Sequence, residues 1–190
     1  MPPKPKFTRE QIVAQAFEIV REKGLDSLTA RYLGERLNSS ARPIFTVFDS
    51  MDEVVSEVMA CAKGEYAKYV SAGLASVPAF KGVGTQYIRF AVKEPQLFRL
   101  LFMNVNEQAN LRNILPLIDD NAEEILMSVR ESYGLDDVGA KRIYMHLWVY
   151  THGIATMCAT RTCKFTEEEI SEIMSEVFVS LLKTVKGETR

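Results

Sequence analysis

No run of about eighteen apolar residues occurs anywhere in the 190-residue chain, so no helix long enough to cross a bilayer is expected. Cysteine is scarce and odd in number: Cys61, Cys158 and Cys163 have no framework spacing, which excludes a disulfide scaffold and points to a reducing, cytoplasmic compartment. Histidine is scarcer still. His146 and His152, six residues apart, fall about 240° from each other around a helix and cannot share a metal there. His-Glu-x-x-His, Gly-x-Ser-x-Gly and phosphate-cradling glycine loops are all missing. The adjacent acids Asp119 and Asp120 read as solvated charges on a helix surface. With no nucleophile, base and orienting group to name together, the sequence offers no catalytic residue, no metal site and no cofactor, and an enzyme is not expected. Alternating apolar and polar runs, internal repeats and low-complexity tracts are also missing, so no strand is expected. The start, Met1-Pro2-Pro3-Lys4-Pro5-Lys6, is basic but no apolar run follows, which reads as a solvated tail and not as a signal peptide.

What is present is a globular balance, with 47% hydrophobic and 25% charged residues, enough for a real core. The net charge of -2 excludes a chain that is basic throughout, so any nucleic-acid site must be local. The charge is uneven: residues 1–50 carry +2 and the remainder -4.

Helix punctuation is legible. Phe7-Thr8-Arg9-Glu10-Gln11-Ile12 reads as a capping box on Thr8 with a hydrophobic staple, and Ile12, Val13, Ala16, Phe17 and Val20 recur at helical spacing up to a stop at Gly24. The device returns at Phe165-Thr166-Glu167-Glu168-Glu169-Ile170, opening a last helix over 166–185. Ser50-Met51-Asp52-Glu53 is a third box, for a helix to about residue 72 that the Gly73 and Pro78 region ends. Further helices are predicted over 83–93, from Pro95, over 114–133 and over 137–160. The fold class is all-α, with nine to ten helices in two domains: 1–49 with the tail, and 50–190.

Within residues 27–48, Thr29 is an N-cap, Leu33 and Leu37 face inward, and Asn38-Ser39-Ser40 supplies a turn and a second cap, so two short helices joined by a tight turn are predicted. The string Thr29-x-Arg31-x-Leu33-Gly34-x-x-Leu37, a serine cap, then Pro43-Ile44-Phe45-x-x-Phe48-x-Ser50-x-Asp52-Glu53-Val54 resembles the TetR family of bacterial regulators over about residues 8–55. That family's typical string is Thr-x-Arg-x-Ile-Ala-x-x-Leu-Gly-Val-Ser followed by Leu-Tyr-x-x-Phe-x-Ser-Lys-Glu-Glu-Leu. The resemblance implies an N-terminal three-helix helix-turn-helix reading double-stranded, palindromic operator DNA, with Ala41, Arg42, Pro43 and Thr46 toward the groove and Ile44, Phe45 and Phe48 on the inward or rim face. Lys6, Thr29, Arg31, Ser40 and Phe45 complete the DNA-binding set. Phe45 stands where the family has Tyr, Val47 where it often has His or Tyr, and Met51 where it has Lys. Loss of that Tyr and Lys removes two phosphate contacts, for which Lys4, Lys6, Arg9, Arg31 and Arg42 are the available cations.

Downstream, Tyr87 to Phe102 and Leu147-Trp148-Val149-Tyr150-Thr151-His152-Gly153 look like the TetR C-terminal domain with a Trp-x-x-x-His-Gly signature, over about residues 83–160. This implies a larger helical domain that binds an effector and forms a homodimer through its last two helices. The apolar stripes of 137–160 and 166–185, wider than one core face needs, point the same way. Tyr144, Trp148 and His152 share a helix face and, with Tyr87, Phe90, Phe98, Phe102 and Met103, are candidates to line an apolar effector cavity. The alternative is that they are core, with His152 hydrogen-bonded beside a close-packed Gly153. The expected function is a repressor released from DNA by a small, largely apolar molecule. Two other readings remain: a redox-responsive regulator, in which Arg161 and Lys164 lower a thiol pKa at Cys158 or Cys163, and a TetR-like scaffold that binds protein.

Overall fold

The computed structural model describes residues 6–103 and 120–187. Among them are eight α-helices, two 3-10 turns and no strand: α1 (Arg9–Lys23), α2 (Ala30–Arg36), α3 (Met51–Leu74), α4 (Ala79–Lys93), α5 (Pro95–Phe102), α6 (Ala122–Tyr133), α7 (Asp137–Ala159) and α8 (Glu167–Lys186), with 3-10 turns at Leu25–Ser27 and Ile44–Thr46. The count is eight where nine to ten were predicted. One reason is local: the segment expected as a second short helix after Ser40 closes only a 3-10 turn. Ile44, Thr46 and Val47 are β-branched and disfavour a helix. The Thr46 hydroxyl also donates to the Pro43 carbonyl at 2.6 Å, competing with the backbone. The backbone bonds there run mostly three residues back, as in Ile44 N to Ala41 O at 3.0 Å.

The chain divides into two compact units, Met1–Glu65 with Gln96–Asn104, and Tyr66–Pro95 with Val105–Arg190, the division falling inside α3. In the first unit, α1 opens on the expected box: Gln11 N donates to Thr8 Oγ1 and Thr8 N to Gln11 Oε1. It ends at Gly24, whose φ of 85° suits glycine. Ile12, Ala16, Ile19 and Val20 of α1, Leu33 of α2, Ile44, Phe48, and Val54 and Val58 of α3 are buried. Arg9 ties α1 to α3, pairing with Glu53 at 2.8 Å and Glu57 at 2.6 Å while its guanidinium lies 4.3 Å from the Phe48 ring centroid. Asn38 takes the left-handed conformation at φ 51°, which asparagine tolerates, and turns the chain after α2.

In the second unit α4 packs on α6 and α7, and α8 lies along α7. The core is Phe80, Val83, Ile88 and Phe90 of α4, Ile125, Leu126 and Val129 of α6, and Ala140, Ile143, Leu147 and Ile154 of α7. Helix α3 does not stop at Gly73 as predicted but runs one residue further. The glycine serves packing: a Cβ there would sit 2.6 Å from Val83 Cα, so α4 crosses close above it. Helix α4 begins four residues before its predicted start, with Pro78 as N-cap. Residues 114–119 of the predicted 114–133 helix lie outside the described residues, as do Asp119 and Lys4. Helix α8 again opens on a reciprocal box between Thr166 and Glu169.

Candidate DNA-contact segment and effector cavity

Two sites emerge, one in each unit. In the first, Thr29 Oγ1 accepts from Tyr32 N at 3.2 Å and fixes the start of α2. The turn after α2 packs hard on Gly34, where a Cβ would come within 2.8 Å of the Ser40 carbonyl carbon and 2.9 Å of Ala41 N. Ile44 and Phe48 anchor the following segment by complete burial, which leaves Ser40, Arg42, Phe45 and Thr46 exposed, with Ala41 and Pro43 half-buried. Phe45 keeps 48% of its surface. Lys6 reaches the turn, donating to Ser39 Oγ at 3.0 Å.

Cations here differ in what they already hold. Arg31 pairs with Glu35 at 3.0 Å along α2, Arg36 with Glu22 at 2.8 Å, and Lys23 donates to Tyr32 Oη at 2.6 Å, which together with Arg36 holds the Tyr32 phenol below its ordinary value. Arg9, expected as a spare cation for phosphate, is taken by Glu53 and Glu57, and those hydrogen bonds push its pKa further up. It is a structural clamp. Arg42 is exposed and, among the described residues, makes no hydrogen bond or ion pair.

The second unit holds a cavity of about 300 Å³, within the range of about 300–1,000 Å³ usual for small-molecule sites. Tyr87 from α4 and Tyr144 and Trp148 from α7 line it. His152 does not, yet it supports two of them: its ring stacks on Trp148 at 4.9 Å between centroids, and its Nδ1 lies 2.9 Å from Tyr87 Oη in a hydrogen bond whose donor depends on the tautomer. Burial holds the imidazole below its ordinary value, so the neutral form dominates. Phe90 is a packing residue, fully buried with its ring 5.3 Å from Tyr66 and 5.2 Å from Tyr69. Phe98, Phe102 and Met103 belong to the first unit and are not among the lining residues. Gly153 is exposed, with open space where a Cβ would stand, in place of the close packing considered from sequence.

Sequence reasoning missed the other walls: Phe80 and Val83 of α4, Tyr133 of α6, and Ile170, Met174 and Phe178 of α8. Phe178 sits 4.7 Å from Tyr133 and 6.3 Å from Phe80, and Thr151 Oγ1 donates to Met174 Sδ at 3.5 Å. The signal was the spacing Ile170, Met174, Phe178 on one face of α8, opposite Tyr144, Trp148 and Thr151. Burial raises the Tyr133 phenol above its ordinary value.

At Cys158 the surroundings do not favour the thiolate. Burial, with a smaller contribution from Cys163, pushes the Cys158 thiol up and not down, so Arg161 and Lys164 do not activate it. Among the described residues no group of three His, Cys, Asp or Glu side chains is placed to hold a metal ion, and no helix is long and apolar enough to cross a membrane.

Comparison with curated proteins returns no match. A family model described as the tetracyclin repressor-like C-terminal domain matches residues 80–181, which takes in nearly all of α4, most of the cavity wall and most of α8. That match covers more than half of the chain, and the protein therefore belongs to the tetracyclin repressor-like, or TetR, family of transcriptional regulators.

Proposed function

We propose that the protein is a cytoplasmic, homodimeric repressor that binds palindromic operator DNA through a helix-turn-helix in residues 1–49 and leaves it when a small molecule fills the cavity of the 50–190 domain. The observation that carries the reading is the segment from Ser40 to Thr46, exposed on a buried anchor of Ile44 and Phe48, with an unpaired Arg42 in its middle. A guanidinium on the first turn entering the major groove pairs with guanine edges, and each such pair discriminates by about 1–3 kcal/mol. Thr46, Ala41 and Pro43 flank it. Lys6, Thr29, Arg31, Ser40 and Phe45 contact phosphates and sugars, and Phe45 and Met51 in place of Tyr and Lys remove two such contacts.

Dimer formation has its own support. Helix α8 is amphipathic but contains no buried residue, and Val149, Tyr150 and Gly153 of α7 and Val179 of α8 are exposed. Twofold pairing of α7 and α8 sets two recognition segments about 34–36 Å apart, one turn of DNA, to match a palindrome. The downstream half is read as the Trp-x-x-x-His-Gly kind, Trp148 and His152 being in contact. A ligand that fits the cavity only in a dimer of altered spacing shifts the population off DNA, and the two affinities are reciprocally linked. No reaction is assigned to the protein.

Gel shift on the DNA upstream of its own gene, at two salt concentrations, tests the reading. Salt-sensitive binding at dimer stoichiometry, lost on replacing Arg42 and Thr46 by alanine, is the expected result. A strictly monomeric protein, or affinity indifferent to both replacements, sinks it. The exposed Phe45 favours a second reading, a scaffold for protein, which the same assay separates because no DNA is then shifted.

A further inference from the structure

We infer that the cavity of the second unit selects an organic anion: a compact aromatic or alicyclic body carrying one negative group, held at the mouth by Lys81. This rests on the effector reading above and names the class of ligand. The walls are almost wholly apolar and aromatic, with Phe80, Tyr144, Trp148 and Phe178 around the space. Of the described lining residues Lys81 alone carries a full charge; no carboxylate lines the cavity. Lys81 is solvated at the mouth, and an anion seated there gains its ammonium as a partly hydrated partner.

Geometry fixes where the charge goes. Lys81 is exposed, and its Nζ donates to Ser171 Oγ at 3.3 Å, bridging α4 and α8 across the rim; it makes no ion pair among the described residues. Thr85, one turn further along α4, and Ser175 on α8 also line this side, but their hydroxyls already donate to the Lys81 and Ser171 carbonyls, which leaves Lys81 as the donor for the anion. The positive end of α4 lies at this rim too, where Pro78 offers its first turn no side-chain acceptor. A carboxylate at the rim thus keeps partial hydration and an ammonium, while its hydrocarbon body displaces water from the aromatic interior. A neutral ligand gains only the second. A cation meets Lys81 as a like charge and is excluded.

Trp148 is the sole tryptophan and lines the cavity, so its fluorescence reports occupancy directly. The test compares 4-phenylbutyrate with the near-isosteric 4-phenylbutyramide on the full-length protein and on Lys81→Gln, whose melting curve serves as the folding control. The carboxylate is expected to bind about three- to tenfold more tightly than the amide, the size of a partly solvated ion pair, and Lys81→Gln to erase that preference by weakening the carboxylate more than the amide. Raising the salt concentration narrows the gap. Equal binding of the two compounds, or a preference that survives Lys81→Gln, overturns the anion inference and leaves the cavity as a neutral site. If neither compound alters Trp148 emission up to millimolar concentration, the effector reading of this cavity falls with it.

Discussion

Gly34→Ala separates two physical accounts of the same helix. Residue 34 lies inside α2 with an ordinary helical backbone, so by propensity alone alanine there stabilises by about 1 kcal/mol. The structure argues for the opposite sign. The new methyl would stand 2.8 Å from the Ser40 carbonyl carbon, 2.9 Å from Ala41 N and 3.0 Å from Ser40 O. Carbon pairs prefer about 3.5–4.0 Å, so the turn must retreat by roughly 0.7 Å or more. All three atoms are backbone, and no flexible side chain can give way. Overpacking of this kind costs about 1–3 kcal/mol, which exceeds the propensity gain and leaves a net loss near 1 kcal/mol. Because the displaced atoms lead directly into Arg42, operator affinity falls together with stability. Hydrogen exchange of the buried α1 amides reads the first, and gel shift the second. An alanine variant whose α1 amides exchange more slowly, with unchanged operator binding, refutes the packing argument.

Removing the cap with Thr8→Ala destabilises the first unit by about 1 kcal/mol, read from the same α1 amides, because the Gln11 backbone N–H loses its acceptor, Thr8 Oγ1. His152 contributes a pH dependence whose sign follows from burial: its folded-state pKa lies below the ordinary 6.5, so the unfolded chain takes up the proton first and stability falls as pH drops through about 6.5. The melting temperature of His152→Asn, followed over that window, declines less steeply than that of the parent; identical slopes refute the assignment. Gly153→Leu fills a position open within the single chain, so the monomer keeps its fold, while sedimentation shows the dimer dissociating at least about tenfold more readily if a partner helix crosses there. An intact dimer in that variant removes Gly153 from the interface.

Legibility varied with how local each cause was. The boxes at Thr8 and Thr166 were readable because a capping serine or threonine and its partner three residues on need nothing beyond one turn of helix, and both close reciprocally. The same holds for the anchoring of the candidate DNA segment, where Ile44 and Phe48 are buried and Arg42 is exposed. The short helix expected from the Ser40 cap failed locally, on β-branching and the Thr46 hydroxyl, features visible in the string beside the cap. Gly73 was read as a stop when its cause is tertiary, the passage of α4 over its backbone. The cavity was half legible for the same reason. Tyr144 and Trp148 share a face that local spacing defines, whereas Phe98, Phe102 and Met103 were grouped by aromatic or apolar character alone and fall in the other unit.

Helix α8 carries the remaining step. Ile170, Met174 and Phe178 recur every four residues and face the cavity. Ile173 and Val177 occupy the neighbouring stripe, and no residue of the helix is buried in the single chain. A helix of this kind gains little from propensity and depends on packing for its stability. All five side chains are half-buried in the single chain, so the stripe of Ile173 and Val177 keeps apolar surface that packing could still cover. Burying an Ile or Val side chain is worth about 1.5–3 kcal/mol when complete, so a second copy laid on that stripe stabilises the very helix that walls the ligand. On the reading proposed above, ligand and partner act on adjoining stripes of one helix. If a ligand too large for the open cavity moves Met174 and Phe178, a dimer contact built on Ile173 and Val177 must follow or loosen. Linkage requires the reverse as well: dissociation of the dimer must change ligand affinity by the same factor. Titrating a cavity ligand above and below the dimer dissociation constant checks this, and equal affinities in the two regimes would mean that α8 does not couple the sites.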